Sequence, residues 1–169
     1  MTPVLAFLTL LAAMSTAETR VEVVREGTPV AVAETAKLVT LVAELAEQSS
    51  VNSTPYVEGD ARWKAALVAP TRIRVDFGGV RRLRLIDVDH VRRQVPVREI
   101  LLVVRSDAWP DHILVRTEAG VQALTKYSPC GLLRLIQVAD LAMVDRERTR
   151  YGAPYEKLCG ARPEGAVHQ

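Results

Sequence analysis

The sequence predicts an α+β domain: an antiparallel or mixed sheet of about four to six strands, with an N-terminal and a C-terminal helix packed on it. Three observations predict it. Leu38, Leu41, Val42 and Leu45 fall at i, i+3, i+4 and i+7, one stripe of an amphipathic helix. Residues 72–126 alternate apolar and polar side chains or run wholly apolar, as strands do. Leu132, Leu135, Ile136, Ala139 and Met143 then form a second helical stripe.

The chain has 169 residues, 49% of them hydrophobic and 25% charged. That length suits one globular domain. The apolar content excludes a disordered chain. Two cysteines exclude a disulfide-dense miniprotein.

Residues 1–17 contain no Asp, Glu, Lys or Arg. Their apolar run, residues 3–13, is too short to span a bilayer, which takes about 20 residues. It suits the apolar region of a secretory signal, and Ser15 and Ala17 supply the small residues a signal peptidase reads. The expected organisation is a signal peptide over 1–17, a domain over 18–150 and a C-terminal tail over 151–169. The expected location is therefore secreted or periplasmic, with no membrane span in the mature chain.

Export bears on Cys130 and Cys159, the two thiols of the chain. In an oxidising compartment an even pair forms a disulfide, which here ties the tail to the start of the last helix. The alternative makes Cys130 a nucleophile at a helix N-terminus, where the dipole lowers a thiol pKa.

The elements follow in order. Val21 and Val23 alternate with Glu22 in a short first strand. Thr28 as N-cap and Pro29 at the first helical position open a helix over 29–48. Residues 49–54 break it and include the sequon Asn52-Ser53-Thr54. Residues 60–68 read equally as helix or strand. Ile73, Val75 and Phe77 alternate with Arg72, Arg74 and Asp76, and Leu83 and Leu85 with Arg82 and Arg84. Gly78-Gly79 marks a reversal between them, and a three-residue loop over 78–80 pairs Ile73 with Leu85 and Val75 with Leu83. Residues 100–104 are apolar throughout, as in a central strand covered on both faces. After a turn at Trp109-Pro110, strands over 112–117 and 121–126 form a hairpin around Glu118-Ala119-Gly120. Ser128 as N-cap and Pro129 begin the last helix, expected to run to 148.

Charge is unevenly placed. Residues 18–61 carry a net −5, residues 62–105 a net +7, and residues 106–169 balance. Arg72, Arg74, Arg82 and Arg84 are expected on the outer face of one hairpin, able to attract an anionic envelope component or an acidic protein. The competing expectation is that the acidic first helix packs over this face and neutralises it. Nucleic acid is a poorer fit for an exported chain in which only Trp63 and Phe77 lie near for stacking.

Asp87, Asp89 and His90, with Asp111 and His112, form the one cluster of candidate metal ligands or acid–base groups. Their spacing matches no motif with a defined mechanism, and such a run also simply solvates a turn. No phosphate-cradling glycine loop and no Gly-x-Ser-x-Gly elbow is present, and no cofactor is implied. The sequence thus favours a non-enzymatic binding module for an anionic partner. A small hydrolase or metal-dependent enzyme using the Asp/His cluster and a structural envelope component are the alternatives.

Overall fold

The computed structural model describes residues 18–51, 59–104, 112–125, 129–139 and 141. The expected signal peptide, the sequon, Trp109-Pro110, Asp111, Ser128, Met143, Cys159 and the C-terminal tail all lie outside these residues. Among the described residues the architecture is a mixed seven-stranded sheet with helices on both faces. The strand count exceeds the expected four to six because two strands, each of two residues, carry too little pattern to be read.

The first strand, β1 (Arg20–Arg25), folds back through Glu26 and Gly27 onto β2 (Thr28–Pro29). Both turn residues have positive φ, 50° and 81°, the backbone of a two-residue turn whose twist matches its strands. This corrects the expected helix start. Thr28 and Pro29 are strand residues, and proline is tolerated at an edge because no ladder bond is asked of its nitrogen. The helix α1 (Thr35–Glu47) begins later and has no side-chain cap. Its predicted stripe holds: Leu38, Val42 and Leu45 are buried, with Ala43 and Ala46 beside them. At its C-terminal end the Ser49 hydroxyl donates to the Leu45 carbonyl at 2.7 Å, and the chain enters β3 (Ser50–Val51).

The ambiguous segment over 60–68 is helical, α2 (Gly59–Leu67), with Trp63 and Ala66 buried. It covers the face of the sheet opposite α1. Trp63, Ala66 and Ala69 pack on Leu101, Val103, Leu114 and Ala123, whereas α1 packs on Ile73, Val75, Ile100, Leu102, Ile113 and Val115.

The expected reversal at Gly78-Gly79 does not occur. Residues 72–86 form one strand, β4 (Arg72–Ile86), paired antiparallel along its length with β5 (Arg92–Val103). Ile73 faces Leu102, Val75 faces Ile100, Leu83 faces Val95 and Leu85 faces Arg93. From Asp76 to Arg81 β4 takes five steps while β5 takes two from Glu99 to Val97, so residues 78–80 bulge out. Gly78, at φ 67°, absorbs the distortion. The glycines bend a strand here because the apolar strand over 100–104 offers the first half of β4 a partner that Leu83 and Leu85 do not. Face assignment survives the change: Leu83 and Leu85 still join Ile73, Val75 and Phe77 in the α1 core.

The wholly apolar run behaves as read. Residues 100–104 are buried throughout and feed both cores, and β5 is flanked by β4 and by β6 (His112–Thr117). The expected hairpin joins β6 to β7 (Gly120–Thr125) through Glu118-Ala119. There the Thr117 hydroxyl accepts the Ala119 N–H at 3.1 Å and donates to the Gly120 carbonyl at 2.9 Å. β3 bridges β7 and the end of β4, the latter through the single parallel pair Ser50–Ile86. The pairings β4–β5–β6–β7–β3–β4 therefore close a ring, with β1 and β2 attached to the first half of β4. The last helix, α3 (Pro129–Val138), starts at proline as expected and packs beside α1, with Leu132, Leu135 and Ala139 buried. No helix among the described residues is long and apolar enough to cross a membrane.

Candidate functional site

The bulge at 78–80 divides the four predicted arginines into two pairs with different surroundings. Arg72 and Arg74 lie on the first half of β4, beside β1 and β5, and neighbouring carboxylates hold them. Arg72 is paired with Glu22 at 2.5 Å and donates to the Ala69 carbonyl at 2.9 Å. Arg74 makes two bonds to Glu99, at 2.9 and 2.6 Å, and Arg116 approaches the same carboxylate at 3.4 Å. Arg116 also lies over the Trp63 ring, 4.3 Å from its centroid, which ties this ion cluster to the α2 core. These two arginines belong to the interior bracing of the sheet.

Arg82 and Arg84 lie beyond the bulge, on a ribbon formed by residues 81–86 of β4 and 92–97 of β5. The inner face of this ribbon, with Leu83, Leu85 and Val97, is buried. Its outer face carries Arg82 opposite Pro96, Arg84 opposite Gln94, and Ile86 opposite Arg92. Arg82, Arg84, Arg92 and Gln94 are exposed, and among the described residues none of the three arginines has an acidic partner within ion-pair distance. The first helix does not cover this face, since α1 packs against the inner side. Its Glu47 reaches the ribbon but accepts the Arg84 backbone N–H at 2.9 Å, not the guanidinium.

Arg92 is the member that sequence reasoning missed. The alternation of Arg92, Gln94 and Pro96 with Arg93, Val95 and Val97 is a period-two signal. It was hidden because the run Asp87-Val88-Asp89-His90 suits a turn and Arg92-Arg93-Gln94 contains no β-branched or aromatic residue. Arg82 and Arg84 are about 7 Å apart along the strand, and Arg92 is diagonal to Arg84 at about 7–8 Å. Three like charges so spaced repel one another, and a multivalent anion laid across them relieves that repulsion. Each guanidinium presents a planar fork matched to phosphate, sulfate or carboxylate.

The Asp/His group is divided. Asp87, Asp89 and His90 form the β4–β5 turn, in which the His90 N–H donates to the Asp87 carbonyl at 2.9 Å and His90 takes φ 60°. The Asp87 side chain accepts the Val88 N–H at 2.7 Å, and Arg93 contacts Asp87 at 3.0 Å and Asp89 at 3.8 Å. His112 begins β6 in register with Val103, the far end of β5 from this turn. The length of β5 therefore separates His112 from Asp87, Asp89 and His90. Among the described residues no three His, Cys, Asp or Glu gather to hold a metal ion.

A cavity of about 160 Å³ lies between α1 and α3, lined by Leu41, Glu44, Leu45, Gln48, Cys130, Gly131 and Arg134. Among the described residues no cysteine is free, and Cys130 is not a free thiol. It does not stand as the reactive thiol considered from its place at a helix N-terminus.

No protein-family model matches the chain, and no curated protein or solved structure is significantly similar to it.

Proposed function

We propose that the protein is an exported, non-enzymatic binding module whose partner is anionic and is recognised by Arg82, Arg84 and Arg92. The observation that carries this reading is the contrast between the two halves of β4. Where arginines brace the fold they are matched by Glu22 and Glu99, and where they line the outer ribbon they meet no acidic partner among the described residues. A self-repelling exposed face adds nothing to stability, so its value lies in what it attracts. Export is supported by the uncharged apolar run over 3–13 and the small residues Ser15 and Ala17. Pairing of Cys130 with Cys159, the other cysteine of the chain, is part of the same reading.

Retention of the full chain on immobilised heparin, a sulfated polyanion, tests it. Added salt is expected to elute the parent as its ions screen the exposed charges, and Arg82→Glu/Arg84→Glu is expected to elute with the unbound fraction. Equal retention of the variant and the parent overturns the reading.

A further inference from the structure

The turn that closes the arginine ribbon carries an apolar pair. Val88 and Val91 are 44% and 50% exposed and lie in the five-residue turn over 87–91, which the Asp87 N–H closes by donating to the Val91 carbonyl at 2.8 Å. Single exposed valines are ordinary. These two sit together at the tip of a strongly basic ribbon, with Arg92 and Arg93 directly following and Arg84 on the adjoining strand. The turn's own acids are answered locally, because Arg93 contacts both Asp87 and Asp89. Residues 81–98 hold six arginines and two aspartates. A soluble polyanion uses the charge of such a ribbon but has no use for its apolar tip, whereas an anionic lipid surface uses both.

We propose that this ribbon docks on an anionic lipid bilayer, with Val88 and Val91 entering the interfacial layer and Arg84, Arg92 and Arg82 pairing with lipid phosphates. The assignment rests on the anionic-partner reading above and names that partner. Dimensions agree with it. The polar layer of each leaflet is about 5–8 Å deep, and Arg84 lies two residues, about 7 Å, before the strand end at Ile86. Valines at the tip therefore reach the base of the headgroups while Arg84 and Arg92 stand among the phosphates. Arg82, about 7 Å further back, lies within a screening length of the surface. Each surface arginine strengthens such binding about fivefold, and the valines add apolar area that electrostatics alone does not supply.

Co-sedimentation of the full chain with vesicles tests it, using phosphatidylcholine alone and phosphatidylcholine mixed with phosphatidylglycerol. Binding is expected only to the mixed vesicles. Arg84→Glu/Arg92→Glu is expected to abolish it, and Val88→Ser/Val91→Ser to weaken it at least about fivefold while retention on heparin stays unchanged. Both valines are exposed, so thermal unfolding of the serine variant is expected to match the parent. As an independent readout, Val88→Trp is expected to shift its emission to shorter wavelength on the mixed vesicles. Equal sedimentation with both vesicle types, or indifference to the valine change, overturns the lipid assignment. Heparin binding that needs Arg82 and Arg84, without vesicle binding, overturns it too but leaves the anionic-partner reading standing. Failure to bind either probe overturns both.

Discussion

The Glu99 carboxylate takes two hydrogen bonds from Arg74, at 2.9 and 2.6 Å, across neighbouring strands β4 and β5. Asp76 is the residue directly opposite Glu99, so Arg74 reaches it diagonally. With Arg116 on the same carboxylate and over Trp63, the contact joins β4, β5, β6 and α2. That pairing separates an arginine that holds the sheet together from arginines that face outward.

Removing the shared carboxylate leaves two guanidinium groups without their acid. The Glu99 side chain is only 12% exposed, so water replaces it poorly. Glu99→Ala is expected to lower unfolding stability by about 1–3 kcal/mol, read as a fall in the urea midpoint. Arg84→Gln on the outer ribbon is expected to change it by less than about 0.5 kcal/mol.

The bulge in β4 asks different things of its two glycines. Gly78 has φ 67°, where a Cβ costs about 1–2 kcal/mol. At Gly79 an added Cβ meets nothing within 4 Å, and its φ lies outside the left-handed range. Gly78→Ala is expected to destabilise by about 1–2 kcal/mol and Gly79→Ala to be neutral or slightly stabilising. Chemical denaturation of the two variants checks the difference.

At the start of α2, a Cβ added to Gly59 meets the Val121 carbonyl oxygen at 3.0 Å and the Val121 Cβ at 3.2 Å. The nearer obstacle is β7 backbone, which yields less readily than a side chain. Gly59→Ala is therefore expected to push α2 off the sheet and cost about 1–3 kcal/mol. Faster amide exchange over 59–67 and 120–125, with α1 unchanged, is the expected signature.

Reduction tests the proposed Cys130–Cys159 clasp. Closing a loop of this length stabilises a fold by about 3–4 kcal/mol by chain-entropy reasoning. Adding a reductant is expected to lower the unfolding midpoint correspondingly. Peptide mapping without reductant is expected to yield one cross-linked peptide containing both cysteines.

What the sequence made legible was the pattern that burial imposes on consecutive residues. The stripe at Leu38, Val42 and Leu45, the run over 100–104 and the hairpin around Glu118-Ala119 each show a local period, and each forms as read. Thr28-Pro29 carries a strong helix-start signal, yet positive φ at Glu26 and Gly27 folds it back onto β1. Gly78-Gly79 suits a reversal or a bulge equally well, and the choice depends on a partner strand some 20 residues away. The candidate site was half legible for the same reason. Which faces Arg72, Arg74, Arg82 and Arg84 occupy follows from alternation. Which of them meet an acid depends on Glu22 and Glu99, long-range neighbours that no local spacing reveals.

Arginine-selective labelling with phenylglyoxal, read by peptide mass spectrometry with and without bound heparin, distinguishes the outward-facing arginines from the bracing ones. Arg82, Arg84 and Arg92 are expected to react readily in the free protein and to be protected by the polyanion, while Arg72 and Arg74 react slowly in both states. Protection of Arg72 and Arg74, with Arg82, Arg84 and Arg92 reacting equally in both states, would contradict that distinction.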